Sequence, residues 1–213
     1  MLKAIIFDFD GTVADSLPIC IHAFKSVFKE FDQKDYTTED IIGMFGPPEA
    51  ALISNNLLSD KKEEAVERYY EIYVKEHNQW VDNNEEIKNM LKQLRKQGYL
   101  LGLVTGKSRR GLDYSLKALG MDQLFDVELA GDEVAQPKPH SEGVQKALDL
   151  LGVKNTEAVY IGDSDFDIQA ARGAGVSSIG VHWLPNVQSP EFKVKPDHYF
   201  RNVGDFENYI QAS

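Results

Sequence analysis

Apolar residues follow two alternating patterns along this chain. Short, mostly apolar runs without alternation occur at residues 2–7, 100–104, 127–130, 158–161 and 178–181. Such runs read as strands buried on both faces, the habit of a parallel sheet. Between them apolar residues recur every three or four positions: Ile87, Met90, Leu91 and Leu94; Leu112, Leu116 and Leu119; Val144, Ala147, Leu148 and Leu151; Ile168, Ala171 and Ala174. That spacing predicts amphipathic helices. Gly98, Gly120, Gly152 and Gly175 each follow a stripe, where a left-handed residue closes a helix. Strands alternating with helices predict an α/β fold, a doubly wound Rossmann-like parallel sheet with right-handed crossovers.

One stretch departs from the alternation. Residues 16–82 carry helical stripes and no convincing strand: Leu17, Cys20, Phe24, Val27, Phe28 and Phe31 make one apolar face, and Val66, Tyr69, Tyr70, Tyr73 and Val74 another. This predicts an inserted α-helical cap domain over residues 16–82, with residues 1–15 and 83–213 forming the core domain. An insertion just past a strand's carboxyl end overhangs any site there. Pro185, Pro190 and Pro196 make the segment from Trp183 onward a surface loop. A short strand is expected at 198–200 and a closing helix at 206–210.

Composition narrows the classes of function. The 213 residues carry 34 Asp+Glu against 23 Lys+Arg, a net charge of −11, which argues against nucleic acid and anionic membranes as partners. Cys20 is the single cysteine, so neither a disulfide framework nor a cysteine-built metal site is expected. The N-terminal apolar run stops at Asp8, too short for a signal peptide or membrane span. The expectation is a cytoplasmic protein with no evident obligate protein partner.

The chemistry-bearing residues fall at strand ends. The first strand ends in Asp8-Phe9-Asp10-Gly11-Thr12. Residues two apart share a face of a strand, so Asp8 and Asp10 start together, and Gly11 lets the chain turn. Two crowded carboxylates call for a positive partner, most simply a hard divalent cation. Gly162-Asp163-Ser164-Asp165-Phe166-Asp167 follows another buried strand. If the two strands are neighbours, their acids share one site, since ligands of doubly wound sheets bind at the carboxyl ends. Thr105-Gly106-Lys107-Ser108 closes a third strand before a helix, and Lys138 lies between two prolines. A hydroxyl, helix amides and an ammonium suit an anion beside the metal.

Asp8-x-Asp10-Gly11-Thr12-x-x-x-Asp15-Ser16, Thr105 after a strand, Lys138 before a proline and Gly162-Asp163-Ser164-x-x-Asp167 resemble, in order, the four motifs of the haloacid dehalogenase superfamily. The likeness runs from Ile5 to about Phe200 and includes a cap placed as in phosphoglycolate phosphatase-like members. The resemblance implies a phosphatase for a small phosphorylated metabolite, such as phosphoglycolate or pyrophosphate, working through an aspartyl phosphate. Asp8 would be the nucleophile and Asp10 the general acid and base. Asp8, Asp10, Asp163 and Asp167 would form a Mg²⁺ site, Asp10 through its main-chain carbonyl and Asp167 by orienting the shell and helping to fix Lys138. Phe9, Thr105, Gly106 and Lys138 would bind the phosphoryl group. The segment Gly43-Met44-Phe45-Gly46-Pro47-Pro48 resembles the specificity loop of phosphoglycolate phosphatase-like and pyrophosphatase-like members.

Other readings weigh less. A β-phosphoglucomutase-type enzyme would carry a cap-loop arginine where this chain has Pro47 and Pro48, and a carbon–halogen hydrolase has no need of Asp10 or Asp163. A non-catalytic binding protein would keep a costly acidic cluster for nothing. Gly106-Lys107-Ser108 lacks the earlier glycine of a phosphate-binding P-loop, where Leu101 stands. Asp163-x-Asp165-x-Asp167 lacks the turn glycine and closing glutamate of an EF-hand. Asp15 and Ser16 are expected to cap the first inserted helix, Asp165 to be a solvated helix start, and Cys20, Trp80 and the five histidines to serve packing or surface roles.

Overall fold

The computed structural model describes residues 1–212. Six parallel strands, β1 (Ala4–Phe7), β2 (Leu100–Val104), β3 (Val127–Leu129), β4 (Ala158–Gly162), β5 (Ser177–Val181) and β6 (His198–Phe200), lie in the order β3-β2-β1-β4-β5-β6. This is a doubly wound order whose direction reverses between β1 and β4, and ligands of such sheets bind in the crevice beyond that reversal.

The strands alternate between two apolar layers because successive side chains point to opposite faces. Ile5 and Phe7 of β1 face one core cluster, with Leu101, Leu103, Ile161 and Ile179. Ala4 and Ile6 face the other, with Val144, Leu148, Tyr160 and Ala171. The first layer is covered by stripes of Glu85–Lys96, Arg109–Ala118 and Val203–Gln211; the second by Glu142–Leu151 and Asp165–Gly173. The four predicted cap glycines, Gly98, Gly120, Gly152 and Gly175, all have positive φ.

Between β1 and β2 the chain forms α1 (Leu17–Asp32), α2 (Thr38–Met44), α3 (Glu49–Asn56) and α4 (Lys62–Trp80); the later helices are α5 (Glu85–Lys96), α6 (Arg109–Ala118), α7 (Glu142–Leu151), α8 (Asp165–Gly173) and α9 (Val203–Gln211). The two apolar faces of the insertion meet each other: Phe24 of α1 packs on Tyr69 of α4 with ring centroids 4.4 Å apart. The insertion is also docked on the core. The Tyr70 hydroxyl pairs with Ser108 Oγ at 2.7 Å and the Tyr73 hydroxyl with Ser115 Oγ at 2.8 Å, both across the α4–α6 contact. Arg110 grips Glu67 through both carboxylate oxygens.

Two local expectations are corrected. Ser16 occupies the N-cap position of α1 but makes no capping bond; its hydroxyl bonds to the Asp10 carboxylate instead. Asp15 accepts from the Asn186 side chain at 3.1 Å rather than capping α1. Asp165 begins α8, but its carboxylate accepts the Val194 amide at 2.9 Å, tying the long loop to the core.

Candidate active site

The site forms at the β1–β4 reversal. Phe7 of β1 is level with Ile161 of β4, so the residues just past the two strand ends, Asp8 and Asp163, emerge side by side. The turn after Asp10 needs glycine. Gly11 has φ +84°, and a Cβ there would stand 2.3 Å from an Asp163 oxygen. Gly162 lets Asp167 approach in the same way, since a Cβ there would lie 2.2 Å from Asp167 Cγ.

Asp8, Asp163 and Asp167 are buried, and each offers a carboxylate oxygen within 4.8 Å of the others. Burial pushes the Asp8 carboxyl from 3.8 up to about 7; Lys138 works against that rise and Asp167 adds to it. Burial, then the charges of Asp167 and Asp8, holds Asp163 well above the ordinary carboxylate range. A single ammonium serves the group: Lys138 Nζ is 2.7 Å from Asp8 Oδ1 and 2.6 Å from Asp167 Oδ1. Burial disfavours that ammonium, yet Asp167 and Asp8 keep it charged, well above its usual range. Three buried oxygen ligands with one positive partner are under-neutralised. Hard oxygens in such a cluster fit a divalent cation of the Mg²⁺ kind.

Asp167 is fixed on three sides. Ser164 at the N-cap of α8 forms a reciprocal capping box with it, the Ser164 hydroxyl donates to it at 2.5 Å, and the Tyr160 hydroxyl donates to it at 3.1 Å. Helix capping through Oδ2 and lysine positioning through Oδ1 therefore fall to one carboxylate.

Asp10 stands apart from this cluster. Its carboxylate turns toward the insertion, where Lys107 Nζ lies 3.0 Å from Oδ1 and 3.3 Å from Oδ2 and the Ser16 hydroxyl donates to it. A cavity above Asp8 and Asp10 is lined on the core side also by Thr105, Gly106 and Lys138, and on the insertion side by Phe24, Phe45, Leu52 and Tyr69. Thr105 Oγ1 accepts the Lys107 amide at 3.1 Å, which shapes the loop before α6; Ser108, not Thr105, is the N-cap of α6. Of the residues expected to bind phosphate, Phe9 alone does not line the cavity. It is buried in the core, and its carbonyl accepts the amides of Val13 and Ala14.

Two residues of the site carry no signal in the motifs. Lys107 is buried, and despite that burial the Asp10 charge keeps its ammonium far above the usual range. Glu49, the first residue of α3, reaches across to accept the Ser108 amide at 2.7 Å. Its position directly after Gly46-Pro47-Pro48 is the one hint the sequence holds.

The model of the haloacid dehalogenase-like hydrolase family matches residues 5–181. A pyrophosphatase PpaX of Bacillus mycoides is 31% identical over 204 residues, spanning 96% of this chain and 94% of its own. Among solved structures, a predicted phosphoglycolate phosphatase from Haemophilus somnus is 25% identical with a TM-score of 0.86, covering 99% of this chain and 98% of that one. A β-phosphoglucomutase from Clostridium difficile shares the fold at 22% identity, with a TM-score of 0.83 over 100% of this chain and 96% of that one. With its sheet order, strand-end acids and a match over most of its length, the chain belongs to the haloacid dehalogenase-like hydrolase family.

Proposed function

We propose that the chain is a Mg²⁺-dependent phosphatase that hydrolyses a small phosphorylated metabolite through an acyl phosphate of Asp8. The observation that carries this reading is the pairing of Asp8 with Lys138 at 2.7 Å, beside a cavity that also receives Asp10 and Thr105. Names of relatives support it: a pyrophosphatase and a predicted phosphoglycolate phosphatase.

An Asp8 oxygen attacks phosphorus, and the bond from phosphorus to the leaving oxygen breaks. Asp10 gives that oxygen a proton, then takes one from the water that attacks the Asp8 phosphate, releasing inorganic phosphate and free Asp8. Lys138 holds Asp8 in place and favours its ionised form against the cost of burial. Thr105 and the Gly106 amide hold phosphoryl oxygens at the start of α6, and the Phe9 main-chain amide is the part of that residue left for the same task. Asp8, Asp163 and the Asp10 main-chain carbonyl would hold Mg²⁺, with Asp167 orienting the shell. The ion would neutralise charge between carboxylates and phosphoryl oxygens. Residues 16–82 act as the cap that closes over the acyl phosphate and shuts out bulk water, leaving the one water that Asp10 activates. The protein works in the cytoplasm on a small-molecule substrate.

The test is initial phosphate release from a panel of small phosphate esters and pyrophosphate, with Mg²⁺ and then with chelator. Metal-dependent release is expected. A folded protein that releases phosphate from none of them overturns the reading.

A further inference from the structure

Neighbouring parallel strands are usually joined through a helix, yet residues 182–197, between β5 and β6, form none. A loop of that length must find partners for its polar groups away from itself. It finds them on the two segments that frame the acidic cluster.

The first is the segment after β1. Trp183 Nε1 donates to the Thr12 carbonyl oxygen at 2.7 Å, and Asn186 Nδ2 stands 3.1 Å from both carboxylate oxygens of Asp15. The second is the segment after β4, where Ser189 Oγ accepts the Asp165 amide at 3.3 Å and the Val194 amide donates to Asp165 Oδ1 at 2.9 Å. Between these anchors the Gln188 main-chain amide donates to Asp163 Oδ2. Gln188 thereby lines the same cavity as Asp8 and Asp10.

Asp163 is buried, and the capping box of α8 belongs to Asp167 rather than to it. Among the described residues its carboxylate has two hydrogen-bond donors. The Thr12 hydroxyl stands 3.5 Å from Oδ1, beyond the usual range for an O–H donor, so the Gln188 amide is the close one. A carboxylate that ligates a metal is oriented by the hydrogen bonds it accepts, and losing such a partner weakens metal binding by about 10- to 100-fold. A main-chain amide points only where its loop is held. The side-chain tethers on either side of Gln188 are Asn186 and Ser189, and Asn186 is the stronger because its acceptor is a carboxylate.

We infer that Asn186 is a positioning residue for the metal centre: anchored on Asp15, it holds the loop so that the Gln188 amide keeps the Asp163 carboxylate in the cluster with Asp8 and Asp167. This rests on the Mg²⁺ site of the proposed function and extends it to a loop outside the motifs.

The experiment follows the melting temperature of the metal-free protein across a Mg²⁺ titration, with no substrate present, and takes the dissociation constant from the shift. Asn186 is exposed, so Asn186→Ala should lower the metal-free melting temperature by no more than about 2–4 °C. The Mg²⁺ dissociation constant should rise by about 10-fold. Exchanging the partners, Asp15→Asn together with Asn186→Asp, keeps the net charge and again sets an amide against a carboxylate. It should bring the constant back toward the wild-type value. Gln188→Pro deletes the amide hydrogen itself and should weaken Mg²⁺ at least as much as Asn186→Ala. Wild-type affinity in Asn186→Ala or in Gln188→Pro overturns the inference, and so does an exchanged pair that binds no better than Asn186→Ala. Each of those results leaves the Mg²⁺ site itself standing. A wild type that Mg²⁺ does not stabilise overturns the site and the inference together.

Discussion

Lys107 Nζ lies 3.0 Å from Asp10 Oδ1, in a setting where the lysine side chain is 1% exposed. A cation from the loop after β2 thus clamps the carboxylate assigned to proton transfer, and it also sits 4.7 Å over the Tyr73 ring of the insertion. Core loop, insertion and acid–base residue are held in one contact. Because its ammonium touches Asp10 and no reacting atom, Lys107 is a positioning residue.

Replacing Lys107 by Met should leave Asp10 free to swing. Removing one partner of a buried pair costs about 3–5 kcal/mol, which urea unfolding would detect. With saturating substrate kcat should fall by about 10²-fold, on the scale of a lost acid–base contribution, while KM changes little. An unchanged kcat in a folded variant would show that Asp10 needs no clamp.

Asp8→Asn keeps the shape of the nucleophile and removes its charge. Turnover should vanish while the circular dichroism spectrum and the Lys138–Asp167 contact at 2.6 Å persist. Retained phosphate release would sink the nucleophile assignment.

Mg²⁺ should stabilise the folded chain independently of turnover. Binding to the native state alone adds about 2.7 kcal/mol at a hundred times the dissociation constant. Thermal melts in chelator and in Mg²⁺ should differ accordingly, and Asp163→Asn should abolish the shift. A variant that keeps the full shift would remove Asp163 from the metal site.

Gly11→Ala tests the turn below the cluster. At φ +84° a side chain costs about 1–2 kcal/mol in the left-handed region, and the added methyl would collide with Asp163. Loss of the Mg²⁺-induced melting shift should exceed the loss of stability measured without metal. Equal losses would mean that only the backbone was strained.

His77 gives the chain an acid-sensitive contact. Its ring is buried between Tyr73 and Tyr114, with centroids 5.4 Å from each, and burial lowers its pKa below the ordinary 6.5. In the unfolded chain the ring takes a proton near 6.5 while the folded chain still resists, so stability falls as pH drops below that value. The slope approaches about 1.4 kcal/mol per pH unit for one proton. His77→Phe should flatten this difference in urea melts between pH 6.5 and 5; an unchanged slope would place the acid sensitivity elsewhere.

The doubly wound fold was legible in the sequence because its signals are local. Short, mostly apolar runs mark strands covered on both sides, and glycines at helix ends mark the left-handed turn. The carboxylates at the ends of β1 and β4 were legible for the same reason, since a strand's last residues are known once the strand is. Ser16 shows where local reasoning fails: a serine before a helix reads as a cap, but a carboxylate six residues earlier in the chain offers its hydroxyl a stronger, charged partner.

What the sequence by itself determined is which groups the chain gathers: the carboxylates Asp8, Asp10, Asp163 and Asp167 just past the ends of two buried strands and the ammonium of Lys138 between two prolines, each within a short motif. Only the tertiary structure decided how the rest of the cavity is furnished. Lys107 meets Asp10 across 97 positions of sequence and Glu49 meets Ser108 across 59. Neither pairing leaves a periodic trace. The first exists because β1 and β2 are neighbours in the sheet and the second because the start of α3 meets the start of α6; both are electrostatic contacts, whose strength depends on distance in space and not along the chain.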